Sequence, residues 1–351
     1  EVLPIVEKIA AATGLPLIVK PNAGLPDPLD NHYSVTPELF AQQMEPFAAL
    51  GIRFAGGCCG TSPDYIRALK AALDPLPCPV RKVSAPPAVC TAGHVLPLTG
   101  VHMAGERINP TGKAGLSAAL AEGDMEPLVD LAFDQSDAGA EMLDVNVSAP
   151  GVDESAAMAA AVKAIQEVLS LPLLLDCACP EALEAGLRAF QGVGILNSVS
   201  GKAEDLKKLL PIAKKYGAFL VGMAIDEGGI PPTAEGRLAI ARRILQAALD
   251  AGIPKEKVLI DCLALSSAIA PAEETLRAVR LVKEELGLKT VLGISNVSFG
   301  LPGREALNSA FLAAALESGL DLPILNPSSA PVMDTLAAFR ALHGLDGTDG
   351  G

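Results

Sequence analysis

From residue 99 onward, short apolar runs of β-prone residues alternate with amphipathic stretches rich in Ala, Leu, Glu and Lys. The runs are VHMAG (101–105), EMLDV (141–145), LPLLL (171–175), VGILN (193–197), AFLVGMAI (218–225), VLI (258–260), TVLGI (290–294) and LPIL (322–325). Each is followed by a helix candidate, such as ESAAMAAAVKAIQEVL after the second and TAEGRLAIARRILQAALDAG after the fifth. Near-continuous apolar strands separated by helices predict a parallel sheet covered on both faces. Eight such units in about 245 residues predict an α/β fold of the TIM-type (β/α)8 barrel class.

Polar residues close these runs: Glu106, Asp144 with Asn146, Asp176, Asn197, Asp226, Asp261, Ser295 with Asn296, and Asn326. In a TIM-type barrel, strand C-terminal ends converge on the face that carries the active site. Any one of these residues could instead cap the next helix or start a turn. Eight in the same place point to a site.

Residues 1–73 read as the end of a different unit. GLPLIVKPNAG suggests a strand and turn, TPELFAQQMEPFAALG a helix, IRFAGGCCG a strand entering a loop, and SPDYIRALKAAL a last helix. Two β/α units are too few to close a barrel. Residues 74–98, Pro-rich and without periodicity, are expected to be a linker, 99–345 the barrel, and 346–351 a flexible exit. Because the first residue is Glu1 rather than Met, sequence upstream is expected.

Composition narrows the function. Half of the 351 residues are apolar and 19% are charged, ample for a core. A formal charge of -14 argues against nucleic-acid and anionic-membrane surfaces and for small molecules or proteins as partners. No apolar run approaches a membrane span, and the start lacks signal-peptide character, so the cytoplasm is the expected compartment. Seven cysteines without a repeating spacing fit reduced thiols.

Two of those cysteines, Cys58 and Cys59, are adjacent in AGGCCGTSPD. Adjacent Cα atoms, about 3.8 Å apart, would strain a disulfide. The pair could be small core residues, a redox thiol with a passenger, or two thiolates for one zinc ion completed from elsewhere. Spacing alone does not choose.

PNAGLPD, TPELFA and GGCCGTSPDYIRAL resemble the end of the homocysteine-binding barrel of cobalamin-dependent methionine synthases and related zinc homocysteine methyltransferases. The resemblance implies that Cys58 and Cys59 are zinc ligands, the third ligand belonging to an earlier strand missing from this chain. Residues 1–73 would then be the C-terminal part of a truncated barrel. Tyr65 stands where that family often has His, and Ala55 where Val is common.

GERINPTG (105–112), GAEMLDVNVSAPG (139–151), EALEAGLRAF (181–190), ILNSVSG (195–201) and LGISNVSFGLPGREALNSAFL (292–312) resemble the methyltetrahydrofolate-binding domain of the same family. By that resemblance Asp176, Asn197 and Asp261 hold a pterin, with Glu106, Asp144, Asn146 and Ser295 on the same face. Asn296 is the residue expected beside the methyl-bearing nitrogen, where its carbonyl would stabilise developing positive charge. Arg304 is expected to meet the substrate's anionic tail or a backbone carbonyl. Cys177 and Cys179 depart from the more polar residues common there. The resemblance implies methyl transfer from 5-methyltetrahydrofolate to cobalamin, bound by an absent domain or a corrinoid protein, and then to zinc-bound homocysteine. The alternatives are a methyltetrahydrofolate:corrinoid protein methyltransferase and a non-catalytic folate-binding module.

Overall fold

A computed structural model describes residues 2–29, 32–83 and 86–345; the exit expected at 346–351 lies outside them. The chain divides into two compact units, Glu1–Pro86 and Pro87–Gly351.

In the first unit, α1 (Leu3–Ala12), β1 (Ile18–Val19), α2 (Pro37–Ala49), β2 (Phe54–Ala55) and α3 (Pro63–Leu73) follow one another. Thr36 caps α2 by accepting the Leu39 N–H, and Pro37 opens it with its φ already set. The two short strands pair in parallel. Val6, Val19, Phe40, Met44, Phe47, Ile52 and Leu69 form a small core. Tyr65 stacks edge-on against Phe40 and donates its hydroxyl to the Val35 carbonyl at 2.6 Å.

The second unit opens with an antiparallel hairpin, β3 (Ala88–Cys90) and β4 (Val95–Pro97). Residues expected to be linker are therefore folded: Val89 and Leu98 are buried, and Cys90 and Val193 exchange backbone hydrogen bonds. Eight parallel strands then close a barrel: β5 (Ala104–Ile108), β6 (Met142–Asn146), β7 (Leu173–Asp176), β8 (Ile195–Ser200), β9 (Phe219–Met223), β10 (Val258–Asp261), β11 (Lys289–Gly293) and β12 (Leu322–Leu325). All eight predicted strands exist. The first lies three residues later than expected, since residues 101–103 are the entry to the barrel: the His102 N–H bonds the Asp321 carbonyl and its ring bonds Thr99 and Glu141.

Strand alternation explains both the core and the site. Residues such as Leu143, Leu175, Leu196 and Ile260 point outward and pack under the helices. Ala104, Met142, Leu174, Ile195, Leu259, Val291 and Ile324 point inward and pack with Val89 and Leu98 of the hairpin, filling the barrel from its N-terminal end. Two residues further along a strand, the side chain points the same way one layer higher. From those inward positions, that step lands on Glu106, Asp144, Asp176, Asn197, Asp261, Gly293 and Asn326.

Candidate active site

The upper layer rests on an apolar floor, so its polar groups must satisfy one another or a ligand. Two cross-strand pairs do so in part. The Asn197 amide donates to Asp144 Oδ1 at 3.0 Å, and the Asn146 amide donates to Asp176 Oδ2 at 2.9 Å. Glu106, which falls in mid-strand rather than at a strand end, accepts the Ser295 hydroxyl at 2.6 Å. Asp261 accepts the Leu263 N–H at 2.7 Å. The structure thus gathers Glu106, Asp144, Asn146, Asp176, Asn197, Asp261 and Ser295 on one face.

This cluster holds its protons tightly. Burial raises the pKa of Glu106, an effect the Ser295 hydroxyl opposes. Asp144 is raised well above the carboxylate range by burial, then by the charge of Asp176, against the opposing bond from Asn197. Asp176 is also raised by burial. Asp261 is pushed up to about 6 by burial, with the Leu263 N–H and Arg237 acting against it. Carboxylates under this strain gain from a ligand that brings N–H donors, because each donor stabilises the ionised form.

Asn296 lies in the one-turn 3-10 segment Ile294–Ser298 that follows β11. Its side chain is exposed, and among the described residues no hydrogen bond engages it. Gly293 makes room for it, since a Cβ there would stand 2.9 Å from Asn296 Nδ2. Arg304 opens α11 (Arg304–Glu317) and donates to the Ser295 carbonyl and the Ser298 hydroxyl, at 3.1 and 3.0 Å. Its position is thus fixed by the turn that carries Asn296. A polar cavity of about 190 Å³ lies beside this turn, lined in part by Glu106, Arg107, Ser295, Arg304, Asn308 and Asn326.

One strand-end candidate does other work: Asp226 pairs with Arg243 and accepts the Gly228 N–H. Asn326 stays in the cavity lining while its side chain accepts the Ser328 N–H of its own turn. Cys177 is buried under the site, donates to Glu154 at 3.2 Å, and is pushed up to about 11 chiefly by burial. That protonation excludes a reactive thiolate there.

Sequence reasoning missed Arg237, which is 2% exposed and donates to the carbonyls of Cys262 and Leu263 behind Asp261. A signal was present. Position 237 falls on the buried stripe 234, 237, 238, 241, 244 and 248 of α9 (Ala234–Asp250), where a solvated arginine has no place.

In the first unit, Cys58 and Cys59 are exposed, which removes the reading of them as packed core. Backbone bonds from Cys58 N–H to Pro21 and from Ala23 N–H to Cys59 fix the loop, and Asn22 accepts the Cys59 N–H. The two sulfurs are 3.9 Å apart. Two thiolates on a tetrahedral zinc with Zn–S of about 2.3 Å stand about 3.8 Å apart, so the pair fits two corners of such a site. Among the described residues no group of three or more His, Cys, Asp or Glu could hold a metal ion.

Residues 105–326 match the family model described as Pterin binding enzyme, and residues 1–73 match that of Homocysteine S-methyltransferase. Methionine synthase of Mycobacterium tuberculosis is 34% identical over 353 residues, covering 95% of this chain and 30% of the relative. Methionine synthase of Mycobacterium leprae is 34% identical over 340 residues, covering 90% of this chain and 28% of the relative. The chain thus spans under a third of the length of these relatives. Among solved structures, dihydropteroate synthase of Stenotrophomonas maltophilia superposes with a TM-score of 0.59 at 21% identity, covering 74% of this chain and all of that one. The corresponding enzyme of Thermus thermophilus gives 0.56 at 20%, over 73% of this chain and all of that one; both show the fold alone. With the matched segment running from the start of β5 to the end of β12, across the whole carboxylate face, this chain belongs to the pterin binding enzyme family.

Proposed function

We propose that the barrel binds 5-methyltetrahydrofolate and releases its methyl group to cobalamin, and that in a longer protein the methyl passes on to homocysteine. The observation that carries the reading is the acceptor-rich face: buried Asp144 and half-buried Asp176 and Asp261, short of donors, beside the amides of Asn146 and Asn197. A reduced pterin presents a ring N–H beside an exocyclic amine, which a carboxylate accepts in bidentate fashion. Asn296, unengaged at the rim, would accept a hydrogen bond from the methyl-bearing nitrogen as that nitrogen gains its proton. Arg304 holds the Asn296 turn through Ser295 and Ser298, and its exposed guanidinium is available to the anionic tail of the folate.

Cobalamin, held by another domain or a corrinoid protein, supplies the nucleophile. Zinc at Cys58 and Cys59, with a third ligand from outside these residues, would keep a homocysteine thiol ionised at neutral pH. All seven cysteines are free thiols, in keeping with a reducing, cytoplasmic setting. Among the described residues no helix is long and apolar enough to cross a membrane.

The test is anaerobic methyl transfer from methyltetrahydrofolate to free cob(I)alamin, followed by the corrin absorbance. Asn296→Ala is expected to lower kcat by about 10²-fold, the scale of losing one charge-stabilising hydrogen bond, with a smaller change in KM. Retained folate binding without any transfer by the parent chain would favour the non-catalytic alternative.

A further inference from the structure

Arg237 is a guanidinium placed among apolar neighbours, and no carboxylate pairs with it among the described residues. Its Nε donates to the Pro231 carbonyl at 3.1 Å. Its Nη1 reaches the Cys262 carbonyl at 2.9 Å, the Leu263 carbonyl at 3.1 Å and Thr275 Oγ1 at 2.8 Å. The Thr275 hydroxyl, from α10 (Glu273–Leu281), donates in turn to the Leu263 carbonyl at 3.1 Å. Burying an unpaired charge is costly, so the bonds it makes need a purpose.

The turn those bonds hold is an unusual one. Leu263 has φ of +62°, left-handed backbone that a bulky side chain rarely adopts, and in that conformation its N–H points at Asp261. Beyond it, the Ser266 hydroxyl donates to the Phe299 carbonyl at 2.7 Å and the Ser267 N–H to the Val297 carbonyl at 2.8 Å. The same loop is thereby tied to the turn that carries Asn296.

The structure assigns Arg237 and Thr275 as positioning residues for the pterin site: they clamp the 261–263 turn so that the Leu263 N–H holds Asp261 as an ionised, correctly aimed acceptor. The assignment rests on the pterin reading above. The charged groups facing Asp261 are Arg237 from α9, Asp176 from β7 and Asp144 from β6, with the Cys262 thiol beside it on β10. Burial and the neighbouring carboxylates disfavour its charge; the Leu263 N–H and Arg237 favour it. Loosening the clamp removes the favourable part and leaves the rest.

The experiment is calorimetric titration of methyltetrahydrofolate into the intact chain from pH 5 to 8, with Arg237→Gln, Arg237→Lys, Thr275→Val and Asp261→Asn alongside. In the parent chain, affinity is expected to fall as pH drops through about 6, where Asp261 takes up its proton. The midpoint should rise by about half a unit in Arg237→Gln, a roughly twofold loss of affinity near pH 6 that grows to about threefold near pH 5, and by less in Thr275→Val. Arg237→Lys, which keeps the charge, should lie nearer the parent. If the midpoints stay in place while only the melting temperatures fall, the two residues are merely structural and the assignment fails; Thr275→Val decides this should Arg237→Gln not fold. If Asp261→Asn binds as tightly as the parent chain, it is the pterin reading of Asp261 that fails.

Discussion

Asp261→Asn should make the ligand-free barrel more stable at neutral pH while abolishing its affinity for a pterin. The buried carboxyl of Asp261 titrates at about 6, against an ordinary value of 3.8. A folded-state pKa above the unfolded one means that the native protein prefers the protonated form. Stability is therefore fully present below about pH 4 and is lost as pH rises through 6. Two pH units correspond to about 3 kcal/mol at 1.36 kcal/mol each, the upper bound on what ionised Asp261 costs at pH 8. Asn keeps an acceptor for the Leu263 N–H but forgoes the stronger bond to a charge, so a gain of about 1–3 kcal/mol is expected. For a unit of this size that is roughly 2–10 °C in Tm. The assay is thermal denaturation by circular dichroism at pH 8 and near pH 4, without ligand. A gain at pH 8 that vanishes at pH 4 supports the argument. An equal change at both pH values, or a loss at pH 8, would refute it, because the effect would then be one of packing rather than of charge.

Gly105→Ala should destabilise the barrel by about 1–3 kcal/mol, the cost of overpacking a filled site. The new methyl would stand 2.4 Å from the Oε1 of Gln135, a wholly buried side chain held by the Arg107 N–H at 2.7 Å, so a urea midpoint unchanged from the parent would contradict the packing described. In the first unit, Cys58 and Cys59 offer zinc two corners of four. Zinc loaded on this chain should pass readily to a chromogenic chelator, Cys58→Ser should abolish the uptake, and folate binding should be untouched in that variant; retention against the chelator would mean that a third ligand exists.

The order of apolar runs and helical stretches determined by itself that the second unit is a (β/α)8 barrel, because strands buried on both faces carry a local signal that little else imitates. The candidates Asp144, Asp176, Asn197 and Asp261 were legible for the same reason: each breaks an apolar run at its end, where a polar residue needs an explanation. Tertiary structure alone decided which residues face which. Asp144 pairs with Asn197 across two strands, Glu106 meets Ser295 from the far end of the chain, and Asp226 turns aside to Arg243. None of these pairings follows from spacing, since each depends on barrel closure and strand register. The hairpin at 88–97 escaped notice because three-residue strands between prolines have no periodicity to read, and its burial comes entirely from the barrel end it covers. Arg237 was hidden in a helix that has other arginines on its solvent face. Only the packed structure shows that this one is surrounded by protein and that its hydrogen bonds end behind Asp261. A sequence records which groups are present, but desolvation and charge proximity, which set the chemistry of those groups, exist only after the chain has folded.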